Sequence, residues 1–326
     1  MSDNNSMLLE VRDLKTYFFL KKTLKAVDGV SFTLAKGRTM ALVGESGAGK
    51  SVTCQSILRS VYPPGAIVGG NILWKGRDLV KLSAREMRNI RGDQIAMVFQ
   101  NPLTSLNPLF TMGAQLSDAI LAHRRVSKGK AKEIVLDALE KTGINEPEIM
   151  YNRYPCELNA GTIQQAMFGA AMLCEPELIL ADEVTSNLDI LSQAKILITM
   201  KDIQKKWGLA FIMVTHDLGV ATQIADDILV MYGGRCVEHT SMRELITHPL
   251  HPYTQALIGS VLEIEAPRMD VIKTIPGNPP DMYNPPNGCC FCLRCPQAGE
   301  VCSKRNPGLV VVSENHQCAC FGVHKA

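Results

Sequence analysis

Residues 44–51, GESGAGKS, fit the pattern G-x-x-x-x-G-K-[ST] immediately after an apolar run. The chemistry this spacing serves is phosphate binding. A glycine-rich turn bends tightly and brings backbone N–H groups within reach of phosphate oxygens. A helix starting at Lys50 adds its positive dipole end. In this frame Gly44, Glu45, Ser46, Gly47, Ala48 and Gly49 surround the phosphates, and Lys50 reaches the β- and γ-phosphates. The Ser51 hydroxyl is then a ligand for magnesium. Two acids close the run LILADE: Asp182 suits a second magnesium contact, and Glu183 suits the orientation or deprotonation of an attacking water. His216, at the end of FIMVTH, is suited to bond a γ-phosphate. Together these residue types point to hydrolysis of a nucleoside triphosphate.

Four apolar runs must position these groups: TMALVG (39–44), IAMVFQ (95–100), LILADE (178–183) and FIMVTH (211–216). Near-continuous apolar runs of this length, separated by helical patterns, predict central strands of a parallel sheet covered on both faces. They end at Gly44, Gln100, Asp182–Glu183 and His216. Ligands of open α/β sheets bind beyond the carboxyl ends of the strands, so these ends are expected to converge on one site.

With 326 residues and 46% hydrophobic content, the chain is able to bury one large core plus a smaller appendage. A net charge of +2, with both signs interspersed, gives no bulk electrostatic reason for nucleic-acid binding. The basic run HRRVSKGKAK (123–132) reads as a solvated helix end or loop. MSDNNSMLLEV lacks a basic stretch followed by an apolar one, so no secretory signal is expected, and no run of about 18 apolar residues predicts a membrane span. The expected location is intracellular, or peripheral on the inner face of a membrane.

Seven of the 11 cysteines lie between 289 and 320. In a reducing compartment such a cluster argues for a metal group or buried thiols over disulfides. The other four, Cys54, Cys156, Cys174 and Cys236, sit in apolar surroundings and read as core. IPGNPPDMYNPPNG (275–288), with five prolines, is incompatible with regular helix or central strand and leads into GCCFCLRCPQAGEVC. Phe291, Val301 and LVVV (309–312) predict a small packed lobe whose thiolates would hold a 4Fe–4S cluster or a structural zinc.

GESGAGKS, MVFQNP, LILADE, SNLD and MVTHD, in this order and spacing, resemble the ATP-binding cassette transporter ATPases. FQNPLTSLNP, HPLHPYTQAL and the tail around GCCFCLRCP resemble, more narrowly, the dipeptide/oligopeptide/nickel importer ATPases; the resemblance runs from about residue 8 to 321. It implies an α/β, RecA-like P-loop nucleotide-binding domain over 8–262, with a mostly parallel sheet and antiparallel N-terminal strands. It further implies a helical subdomain over about 101–170 that touches the membrane subunits, and a proline- and cysteine-rich extension over 263–326. ATP and Mg2+ are the implied cofactors. Phe18, between Tyr17 and Phe19, matches the aromatic that stacks on adenine, and Gln100 the residue that contacts magnesium and senses the γ-phosphate beside Glu183 and His216. Ser186 to Asp189 match a loop facing an opposing ATPase, with Asn187 where alanine is usual; Val184 replaces a proline. The family's cysteine pattern picks out Cys289, Cys295, Cys302 and Cys320 for a 4Fe–4S cluster, with zinc as the alternative, and leaves Cys290, Cys292 and Cys318 extra.

One stretch departs from the family. LNAGTIQQ (158–165) stands where LSGGMRQR is usual, so the signature reads Asn159, Ala160, Gly161, Thr162. In this family two ATPase domains pair head to tail, and each ATP lies between the phosphate loop of one and the signature of the other. Asn159 is still able to cap a helix, but Ala160 adds a Cβ, and Ile163 and Gln165 remove two positive charges. The damage therefore falls on the partner's phosphate loop and spares this chain's Lys50, Ser51, Asp182, Glu183 and His216. The expectation is a heterodimer with a non-identical ATPase, on two permease subunits served by an extracytoplasmic solute-binding protein, at the cytoplasmic membrane face and without nucleic acid. Import of di- or oligopeptides is the implied activity; uptake of nickel or metal chelates, or of other small solutes, and a mainly regulatory ATP-binding role are the alternatives. A soluble ATP switch would call for tandem cassettes or a coiled-coil insertion, and the sequence has one phosphate loop and no heptad run.

Overall fold

A computed structural model describes residues 7–186, 188–260 and 275–323. Asn187, the boundary expected at 262/263 and the first six residues lie outside the described residues. The chain divides into two compact units. The first takes the described parts of Met1–Ala35, Thr39–Lys81 and His216–Ala326; the second takes Lys36–Arg38 and Leu82–Thr215.

In the first unit, β1 (Met7–Phe19) and β2 (Thr23–Ala35) are long antiparallel partners. Their apolar residues alternate inward, with Leu9, Val11, Leu14, Val27 and Val30 almost wholly buried. β3 (Thr39–Val43) is buried at all five positions, as its unbroken apolar run requires. β4 (Gly65–Trp74) and β5 (Arg77–Asp78) complete an antiparallel sheet of order β2-β1-β4-β5.

The second unit carries β6 (Ile95–Val98), β7 (Leu178–Asp182) and β8 (Ala210–Thr215). β7 pairs in parallel with both, in the registers Ile95↔Leu178 and Leu178↔Ala210. All four expected strands therefore form where the apolar runs stand. The helices Met112–His123, Lys128–Lys141 and Ala160–Met172 belong to this unit, and Leu116, Val135, Leu139 and Ala166 meet in one core cluster. Each large aliphatic side chain buried there stabilises the cluster by about 1.5–3 kcal/mol. The basic run is a solvated helix start: Ser127 Oγ accepts from the Lys130 N–H at 3.2 Å, and Arg124 pairs with Asp93 at 3.2 Å. Cys156, expected in the core, is instead exposed, because Pro155–Glu157 is a short 3-10 turn at the surface.

The first unit resumes with β9 (Asp227–Tyr232), parallel to β3, followed by β10 (Arg235–Ser241), β11 (Val310–Ser313) and β12 (His316–Cys318), which join antiparallel in the order β11-β12-β10-β9. The cysteine-rich tail thus adds a hairpin to the edge of β10. Val43, Val230, Tyr232, Tyr253 and Phe291 share one core cluster, so Phe291 packs the tail into the unit. The LVVV run contributes less than expected: Val311 is 71% exposed, since β11 is the outer strand of the hairpin.

Candidate active site

The phosphate loop leaves β3 and enters the helix Lys50–Ile57 through Gly49, which is left-handed at φ 96°. Two glycines are obligatory here. A Cβ on Gly44 would stand 2.1 Å from the Met231 carbonyl oxygen, and one on Gly49 would stand 2.2 Å from that of Ala26. Lys50 is buried and folds back over the loop, donating to the carbonyls of Gly44 at 2.8 Å and Glu45 at 3.0 Å. Ser51 follows it in the first helical turn, and Ser46, Gly47 and Ala48 form the tip of the loop.

Glu45 is held from two directions. Its N–H donates to Tyr253 Oη at 2.9 Å. Its carboxylate takes a forked pair of bonds from Arg294 of the tail, at 2.7 and 3.0 Å. Neither contact was read from the sequence, although the arginine lies inside the cysteine pattern.

Near the end of β1, Tyr17 is engaged through its hydroxyl, which donates to Asp28 at 2.6 Å; burial raises its pKa to about 12. Phe18 lies against Gly65, where an added Cβ would meet its ring at 2.6 Å. Phe19 is half exposed. His216 is exposed and directly precedes Asp217, which caps the helix Leu218–Ile224.

In the second unit, Asp182 is buried at the end of β7. Glu183 follows with φ at 47°, a left-handed conformation uncommon for a non-glycine residue. Its N–H donates to the Val214 carbonyl at 3.0 Å, which ties the residue to β8. Gln100 Nε2 donates to Glu183 Oε2 at 2.7 Å. Gln100 and Glu183, 83 positions apart in sequence, are thus brought together. Gln100 and Asp182 both carry hard oxygen donors of the type magnesium prefers, as does Ser51 in the first unit. Val184 is buried at 2% exposure, so the valine in the proline position is a core residue.

The signature stretch forms a regular helix start. Asn159 Oδ1 accepts from the Thr162 N–H at 2.9 Å and caps Ala160–Met172. A Cβ on Gly161 would stand 2.7 Å from Ser192 Oγ, so the Ser192 side chain would have to shift to admit it. Ala160 is exposed. Ile163 is not at the surface: it is 1% exposed, so that departure changes internal packing, and Gln165 donates to the Thr142 carbonyl at 3.2 Å.

In the tail, Cys289, Cys292, Cys295, Cys302 and Cys320 line a cavity of about 40 Å³ with Phe291, Pro307 and Phe321. Cys290 and Cys318 are not among its lining, and Cys290 Sγ lies 3.9 Å from the Gly233 carbonyl. Burial pushes the Cys289 thiol up to about 12. Among the described residues no group of three or more His, Cys, Asp or Glu side chains is arranged to hold a metal ion.

Residues 27–186 match the family model of the ABC transporter, and residues 237–302 match that of the oligopeptide/dipeptide transporter, C-terminal region. The dipeptide transport ATP-binding protein DppD of Bacillus subtilis is 44% identical over 304 residues, 92% of this chain and 89% of the relative. The oligopeptide transport ATP-binding protein OppD of the same organism is 42% identical over 97% of this chain and 89% of its own. Among solved structures, the dimeric post-hydrolysis state of the ATP-binding cassette MJ0796 bound to ADP and Pi aligns with a TM-score of 0.65 at 24% identity, covering 72% of this chain and 99% of that one. The last likeness shows the P-loop NTPase fold. The chain belongs to the ATP-binding cassette transporter ATPases, in their oligopeptide/dipeptide branch, and is an ATPase coupled to transmembrane transport.

Proposed function

We propose that this chain drives the uptake of di- or oligopeptides as one half of an asymmetric ATPase pair. The single observation that carries the asymmetry is the contrast between an intact set of hydrolytic residues and an altered signature, Asn159–Ala160, within one chain. The peptide assignment rests on the relatives, whose names are those of dipeptide and oligopeptide transport proteins.

In this reading Gly44 to Gly49 wrap the phosphates with backbone N–H groups, Lys50 neutralises the β- and γ-phosphates, and Phe18 covers the adenine. Magnesium, held by Ser51, Gln100 and Asp182, would spread the charge that develops on the phosphate oxygens. Glu183 orients the attacking water and receives its proton, in a position fixed by the Gln100 bond and the backbone tie to Val214. His216 steadies the γ-phosphate. Asn159, Gly161 and Thr162 form the helix start presented to the partner's ATP, with Ala160 reducing the closeness of that approach. The nucleotide-binding domain spans 8–262, with 101–170 as the part that meets the permeases.

The partners would be a second, non-identical ATPase, two permease subunits and an extracytoplasmic binding protein, with this chain peripheral on the cytoplasmic face. No helix among the described residues is long and apolar enough to cross a membrane. The reading keeps a 4Fe–4S cluster in the tail, on Cys289, Cys295, Cys302 and Cys320, with zinc as the alternative; these four cysteines line one cavity. Iron and sulfide analysis of anaerobically purified chain checks this: stoichiometric zinc without sulfide would replace the cluster by the alternative.

Proteoliposomes containing the full assembly and loaded with ATP test the transport reading. Labelled dipeptide should accumulate, and Lys50→Ala should abolish accumulation. Uptake of nickel chelates with no peptide uptake would overturn the substrate class.

A further inference from the structure

We propose that Arg294 of the cysteine-rich tail is a positioning residue for ATP: it binds and neutralises the Glu45 carboxylate and so sets the affinity of the phosphate loop. This rests on the reading of 44–51 as the ATP phosphate loop. Glu45 is the second residue of a loop that must receive a polyanion. A free carboxylate there would oppose the phosphates and would leave the loop's entry untethered.

The geometry removes both problems. Arg294 Nη1 and Nη2 donate to Glu45 Oε2 and Oε1 at 2.7 and 3.0 Å, a forked arrangement only a guanidinium makes. The same group donates to Tyr232 Oη at 3.0 Å and to the carbonyls of Pro276 and Ile275 at 2.7 and 3.2 Å. The Arg294 side chain is 6% exposed and Glu45 25%, so this is no solvated surface pair. Deleting the arginine would strand a partly buried carboxylate beside the phosphates.

Arg294 is itself fixed by its surroundings. Phe291, three residues earlier, packs edge-on to Tyr232 and Tyr253 with ring centroids at 5.2 and 5.4 Å. Tyr253 in turn receives the Glu45 N–H. Pro279, Pro280 and Met282 line a small cleft together with Glu45, Gly47 and Ala48. The tail therefore reaches the loop through side chain, backbone and packing, and the Arg294–Glu45 pair is the charged link among them.

The test is the Kd of a fluorescent ATP analogue for the full-length chain, with KM and kcat for ATP in the assembled complex. Arg294→Ala should weaken binding about tenfold and raise KM with kcat retained. Arg294→Ala/Glu45→Gln should recover most of that loss, because the stranded charge is gone; a purely structural arginine would leave the double variant as weak as the single. Arg294→Lys, which keeps the charge and loses the fork, should bind with intermediate affinity and decides the matter if Arg294→Ala does not fold. Wild-type affinity in Arg294→Ala or Arg294→Lys, or a double variant no better than Arg294→Ala, overturns the proposal. Lys50→Ala separates the underlying reading: its loss of binding keeps the loop as the ATP site whatever the Arg294 series shows, and its retention of binding overturns both.

Discussion

The glycines of the phosphate loop differ in what holds them. Gly49 is left-handed and also pressed against the Ala26 carbonyl, whereas Gly47 is left-handed with nothing within 4 Å of an added Cβ. Gly49→Ala should therefore abolish nucleotide binding. Gly47→Ala should cost only the backbone penalty of about 1–2 kcal/mol, read as a rise in Kd of roughly five- to thirtyfold. His251 offers a test by pH. It is 2% exposed, its Nδ1 accepts from the Tyr253 N–H at 3.0 Å, and burial lowers its pKa to about 4. The unfolded chain takes up this proton near pH 6.5, while the folded chain resists until about pH 4, so stability is full above the upper value and falls as pH drops between them. The loss approaches about 3 kcal/mol, and His251→Gln should flatten that part of the thermal-midpoint profile between pH 7 and 5.

At the scale of elements, the strands that carry chemistry were legible because burial on both faces leaves an unbroken apolar run. β3, β7 and β8 are buried at every position. DILVMY (227–232) has the same character and forms β9, yet it ends in no reactive residue and was passed over. Local apolarity misled twice. Cys156 sits in a surface turn, and Val311 lies on an outer hairpin strand, because neither context is visible without the tertiary fold. The capped signature helix was legible through Asn159, but the approach of Ser192 to Gly161 was not. Ala160 is exposed, so its Cβ meets nothing that this chain's fold requires buried; in the proposed pair the surface it affects is the partner's. Asn159→Ser/Ala160→Gly should accordingly leave thermal stability unchanged and raise ATP turnover at the partner's site, measured with this chain's own site inactivated. In the helical cluster Leu139→Ala should lower stability by about 2–5 kcal/mol without altering the nucleotide loop, as followed by chemical denaturation.

At the scale of the whole molecule, two features connect the parts to function. The tail is built into the first unit through Phe291 and the β10–β12 pairing, and it touches the phosphate loop through Arg294. Gln100 and Glu183 were expected together as ends of neighbouring apolar runs, but the Arg294–Glu45 pair could not be found from spacing, because nothing in the local sequence of either partner names the other. In the asymmetric pair proposed above, the altered signature would give the two ATP sites unequal work, with hydrolysis falling to the site built on this chain's phosphate loop. ATP turnover by the assembled complex carrying Glu183→Gln in this chain tests that assignment most directly. The account predicts loss of nearly all activity. Turnover close to that of the unmodified complex would contradict it and place the working site on the partner's loop, opposite Asn159–Ala160.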